Sequence, residues 1–114
     1  MIRTLLLGFA VVIAADSASA QGRTVYGFSS ASCGQWLQAR TAKNRSSLQL
    51  QSYVDGFLSG YNFASDDPDF LATMPHDRGA SFHTWIDDYC RGKPHNDLTE
   101  AVVALKDELL AHAR

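Results

Sequence analysis

Two cysteines, Cys33 and Cys90, carry the most constrained chemistry in the sequence. A thiol pair can form a disulfide, hold a metal or supply a nucleophile. The last two uses need close spacing or a reactive neighbour, and neither is visible around residues 57 positions apart. His83 and Asp87 stand four apart with His76 upstream, a set from which a metal site or a general base could be drawn. No H-E-x-x-H pattern accompanies them, so a His–Asp pair on a helix surface is the plainer expectation. Asp87 and Asp88 beside Tyr89 read likewise as a solvated edge rather than a carboxylate dyad. Ser59 lies between Gly56 and Gly60, but without the G-x-S-x-G spacing and strand-to-helix context of a hydrolase elbow it is no nucleophile. Asn44-Arg45-Ser46 fits a glycosylation sequon, a pattern of low specificity that means nothing in a bacterial chain. The sequence therefore predicts a protein with no catalytic residues, no metal and no cofactor.

The compartment decides what the cysteines do. Arg3 precedes an apolar stretch from Leu5 to Ala15, and the run Ala18-Ser19-Ala20 before Gln21 has the A-x-A form of a signal-peptide cleavage site. An apolar core of this length is well short of the roughly 20 residues that span a bilayer, so export with cleavage after Ala20 is expected, not a membrane anchor. Loss of residues 1–20 removes Arg3 and Asp16 together, leaving the net charge at −2. No basic stripe is present, which argues against a nucleic-acid partner. The periplasm or the exterior is oxidising, and with two cysteines only one pairing exists. A loop of 57 residues closed by Cys33–Cys90 stabilises the fold by about 4 kcal/mol in the chain-entropy picture.

The remaining 94 of 114 residues suit one modest domain. Residues 21–31 read as an irregular lead-in. Ser32 can cap a short helix through Arg40 with Cys33, Trp36, Leu37 and Arg40 on one face. A polar loop is expected over 41–47, then a helix capped by Ser46 or Ser47, whose stripe is Leu50, Val54, Phe57, Leu58 and Tyr61. Gly56 and Gly60 share one face of it, inviting close approach by another helix or, less plainly, by a ligand. Residues 62–75 read as a loop, with a helical turn over 69–74 after Pro68. From about Ala80 the positions Phe82, Trp85, Ile86, Tyr89 and Cys90 mark a third main helix, ended by Gly92 and Pro94. Asn96 or Asp97 caps the last, with the stripe Leu98, Val102, Leu105 and Leu109. The class is all-α: a small orthogonal bundle of about four helices over 32–114, closed by one disulfide.

Seven aromatics (Tyr53, Phe57, Tyr61, Phe63, Phe82, Trp85 and Tyr89) crowd the second and third main helices. They fill a core or, being more than one domain of this size need bury completely, leave an apolar patch for binding. Tyr53, Phe57, Tyr61, Phe82 and Trp85 are the candidates for such a patch.

Cys33-Gly-Gln-Trp36-Leu37 opening a helix, Tyr53-Val-Asp-Gly-Phe-Leu-Ser-Gly60 in the middle, and Tyr89-Cys90-Arg-Gly-Lys93-Pro94 before an amphipathic helix resemble the HdeA/HdeB family. Its members are small helical periplasmic proteins with one disulfide, the best known being acid-stress chaperones. The resemblance covers roughly residues 32–110 and rests on layout. It implies a stress-responsive, chaperone-like protein in which carboxylates protonate, the fold loosens and apolar helix surfaces bind unfolded clients. His83, Asp87 and Asp88 are the candidate pH-responsive groups, and a homodimer is one candidate state. The chain also resembles, through Val54-Asp-Gly56 to Gly60 and the Cys90-to-Pro94 run, the Tai-type immunity proteins of type VI secretion, which implies binding to one secreted toxin or enzyme. Those proteins usually carry more cysteines than this chain has.

Overall fold

Ser32 begins the first helix, α1 (Cys33–Ala42). Its hydroxyl accepts from the Gln35 backbone N–H at 3.1 Å while the Gln35 side chain accepts from the Ser32 N–H at 2.8 Å, a reciprocal capping box. The computed structural model describes residues 25–72 and 78–114; the expected signal peptide, its cleavage site and His76 lie outside the described residues. The polar stretch 41–47 is not the loop its composition suggests. Thr41 stays helical, its hydroxyl donating to the Leu37 carbonyl at 3.1 Å, and Lys43 turns the chain in the left-handed region at φ 51°.

The connection is thereby reduced to Lys43 and Asn44, and Asn44 rather than Ser46 or Ser47 caps α2 (Arg45–Ala64), accepting from the Ser47 N–H at 3.2 Å. Ser47 is instead buried inside the helix, its hydroxyl accepting from Gln51 Nε2 at 2.8 Å. After α2, Asn62 holds the returning chain: its amide donates to Asp69 at 2.8 Å and its carbonyl accepts from the Phe70 N–H at 3.1 Å. Residues 70–72 form a turn that buries Phe70; residues 73 and 74 of the turn expected over 69–74 lie outside the described residues.

The third and fourth helices are α3 (Arg78–Gly92) and α4 (Leu98–Ala113). Asp97 is the N-cap of α4, and its N–H donates to Glu100 at 3.1 Å. The segments entering α1 and α4 lie side by side through one isolated antiparallel bridge, Ser32 to Asp97. It is made by Cys33 N–H to the Asn96 carbonyl and Leu98 N–H to the Ala31 carbonyl, each 2.8 Å. Two helix starts thus complete each other's backbone bonding, which Ser32 and Asp97 as caps alone leave partly open.

The core gathers Cys33 and Trp36 from α1, Leu50, Val54 and Leu58 from α2, Phe82, Ile86 and Cys90 from α3, and Leu98, Val102 and Leu105 from α4. Within this core the Cys33–Cys90 disulfide joins α1 to α3, its Cα atoms 4.9 Å apart. Among the described residues the protein is all-α, with four helices and one disulfide, as the apolar periodicity indicates. Two details of the stripes differ. Leu110 rather than Leu109 is buried at the end of α4. No other helix of the described residues packs closely on Gly56 or Gly60: a Cβ at either would meet nothing within 4 Å, and their shared face of α2 is exposed. No helix among the described residues is long and apolar enough to cross a membrane.

Candidate functional site

The sequence pairs His83 with Asp87 on a helix surface; both are buried, at 7% and 8% exposure. The reason is helical geometry. Residues 82, 83, 86, 87 and 90 share one face of α3, so the two polar residues ride beside Phe82, Ile86 and Cys90 into the interior. They do not bond each other. Asp87 reaches α1, where Trp36 Nε1 donates to its Oδ1 at 2.7 Å and Arg40 donates through Nε at 3.0 Å and Nη2 at 3.0 Å. Trp36 and Arg40 are one turn apart, so a single carboxylate joins both, and the guanidinium also lies over the Trp36 ring at 5.7 Å. His83 turns the other way: its Nε2 sits 2.8 Å from Asp55 Oδ1 on α2. A carboxylate accepts, so Nε2 carries the hydrogen in this pairing. The His83 and Trp36 rings meet edge to face, with centroids 5.9 Å apart. A continuous polar and aromatic line, Arg40–Asp87–Trp36–His83–Asp55, therefore crosses α1, α3 and α2. Asp88, the third candidate pH-responsive residue, is exposed and pairs with Arg91 one turn along.

Carboxylates also tie the other elements. Trp85 Nε1 donates to Glu108 across α3 and α4 at 2.9 Å, and Trp85 stacks on Tyr89 at 5.6 Å. The Tyr61 hydroxyl donates to Asp67, and that hydrogen bond, then desolvation and the Asp67 charge, hold the phenol above its usual pKa. Among the described residues no group of three or more His, Cys, Asp or Glu is placed to hold a metal ion.

The residues proposed as an apolar binding surface divide. Phe82 is buried at 6% and belongs to the core, since it precedes His83 on the inward face of α3. Tyr53, Phe57, Tyr61 and Trp85 are half-buried against that core. Tyr53 is further held by its hydroxyl: Thr99 Oγ1 lies 2.7 Å away and itself donates to the Ser29 carbonyl at 3.2 Å, so Tyr53 is the donor to Thr99.

The uncovered large apolar side chains are elsewhere: Phe63 at 92% exposure, Tyr26 at 85% and Leu48 at 66%, with Val25 and Phe28 at the margin. Phe63 belongs to the aromatic set of the sequence, but Leu48 is missed there although it falls outside the stripe of Leu50, Val54 and Leu58, which was the available signal. Leu48 stands between two open grooves. One, of about 610 Å³, runs along the α1–α2 corner to Asp87 and Arg91 of α3; the other, of about 400 Å³, lies between Phe28 and Tyr53. No family model, curated protein or solved structure matches this chain.

Proposed function

We propose that the protein is an exported, non-catalytic binder of other proteins, chaperone-like and stress-responsive in the manner the HdeA/HdeB resemblance implies. The observation that carries this reading is the set of large apolar side chains, Phe63, Leu48 and Tyr26, left uncovered by a core that is otherwise closed. Such residues on a small domain favour contact with apolar segments of other chains. An acid response fits the way the helices are tied. Asp87 bonds α3 to α1, Asp55 bonds α2 to α3, and Glu108 bonds α4 to α3. Carboxylates thus stand at three seams between helices, and the disulfide holds α1 to α3 independently of them.

The test is suppression of client aggregation together with binding of an apolar dye, at neutral pH and at roughly pH 2 to 3, below the ordinary carboxyl range. The expected result is capture of clients with dye binding that rises in acid. A protein that stays inert toward clients at both pH values overturns the reading. The immunity-type alternative, docking on one secreted toxin or enzyme while fully folded, is favoured by one observation: the grooves flanking Leu48 are already open in the folded state.

A further inference from the structure

The larger groove beside Leu48 has a chemical character that sets it against the charge of the whole chain. The sequence carries a net charge of −2, yet Arg40, Lys43 and Arg91 line this groove together with apolar Leu37 and Leu48. Asp87 is its one carboxylate, and both Asp87 oxygens are already held by Arg40. Arg91 pairs with Asp88, but both side chains are more than three-fifths exposed, so that pair is weak and readily exchanged for an incoming carboxylate. Across Leu48 the smaller groove adds Arg45 and the aromatic wall of Phe28 and Tyr53. Four cations therefore rim a trough with an apolar side chain standing in the middle of it. A basic segment would meet like charge there, whereas an acidic one gains attraction at long range and apolar contact on arrival.

We infer that this trough at the α1–α2 corner docks an acidic segment of a partner protein that also presents a large apolar side chain. The assignment rests on the reading of the chain as a protein binder and names the partner chemistry it selects. The carboxylates meet Lys43, Arg45 and Arg91, while the apolar residue lies against Leu48 and Leu37. Arg40 is held in place by Asp87 and acts as a fixed part of the rim.

Fluorescence anisotropy of a short fluorescein-labelled peptide of glutamates around one phenylalanine tests the assignment on the full, oxidised protein. Binding is expected at low salt, weakening as ionic strength rises to the physiological range. Lys43→Glu with Arg91→Glu should weaken it by roughly tenfold or more, and Leu48→Ser should weaken it independently, with thermal melting confirming that each variant is folded. A peptide with lysine in place of glutamate should not bind. Equal binding of the two peptides, or an unchanged affinity in the charge-reversed protein, overturns the assignment. So does self-association that is abolished by Phe63→Ser, since the exposed Phe63, near Asp66 and Asp69 in the chain, would then be the occupant, supplied by a second copy. If the peptide fails while client capture persists, only the trough is wrong; if both fail, the binder reading falls with it.

Discussion

The seam between α1 and α3 and the outer face of α2 are built on opposite principles. In the seam, Cys33, Trp36, Ile86 and Cys90 are fully buried, and the side chains of Asp87, Trp36 and His83 are all hydrogen-bonded. The outer face of α2 carries Leu48, Ser52, Gly56, Ser59, Gly60 and Phe63, all exposed, with open space around both glycines. One region places every group where another group needs it. The other holds apolar and conformationally costly residues that nothing in the described fold uses. Stability should therefore be concentrated in the seam, leaving the outer side of α2 free to change or to bind.

Opening the disulfide is the strongest way to break that contrast. Closing a 57-residue loop stabilises the fold by about 4 kcal/mol, a large fraction of the roughly 5–15 kcal/mol available to a small domain. Cys33→Ser with Cys90→Ser, or reduction of the native protein, should lower the melting temperature by roughly 15–30 °C in circular dichroism. The exposed counterpart, Phe63→Ser, should leave it within a few degrees. A reduced protein that melts with the oxidised one would show that the seam is not where the fold is held.

Neighbouring aspartates give a finer comparison. Asp87→Ala removes the acceptor of Trp36 Nε1 and the counter-charge of Arg40, whose side chain is 30% exposed, so the expected loss is about 2–3 kcal/mol, below that of a fully buried pair. Asp88→Ala removes only an exposed contact to Arg91 and should change stability by less than about 0.5 kcal/mol. Asp87→Asn keeps an oxygen for Trp36 and should fall between them. Urea denaturation of the three variants decides the order, and equal effects at 87 and 88 would remove the distinction between a buried and a surface carboxylate.

The helices were legible because burial follows a 3.6-residue period, and Leu50, Val54 and Leu58 or Leu98, Val102 and Leu105 display it without help from tertiary structure. The cap at Ser32 was legible as a serine ahead of the first apolar period, and that of the last helix was narrowed to Asn96 or Asp97, of which Asp97, with Glu100 three residues on, is the one used. Asn44 escaped because a polar run resembles a loop until Lys43 adopts its left-handed turn and Thr41 bonds back to Leu37. The polar line of the seam escaped for a different reason. The positions of His83 and Asp87 beside Phe82 and Ile86 do place them inward, but a partner 28 or 51 residues away is a property of the assembled fold. The fate of the aromatics was legible in part: Phe82 opens the apolar stripe of α3 and is buried, and Phe63 falls outside the stripe of α2 and is exposed, whereas the half-burial of Tyr53, Phe57, Tyr61 and Trp85 is a tertiary outcome.

The glycines give the most discriminating prediction. In a helix interior glycine is less favourable than alanine by roughly 0.5–1 kcal/mol, and a Cβ at Gly56 or Gly60 has no neighbour to displace. Gly56→Ala and Gly60→Ala should therefore each raise stability by about 0.5–1 kcal/mol, read as a higher urea midpoint at unchanged slope. Two alanines four residues apart should add, since they touch no shared partner. A loss of stability instead would mean that this face packs against something in the folded protein. A gain in stability accompanied by weaker client capture would be more telling, because a methyl group harmless to the free fold but harmful to the complex marks where another chain approaches α2 closely.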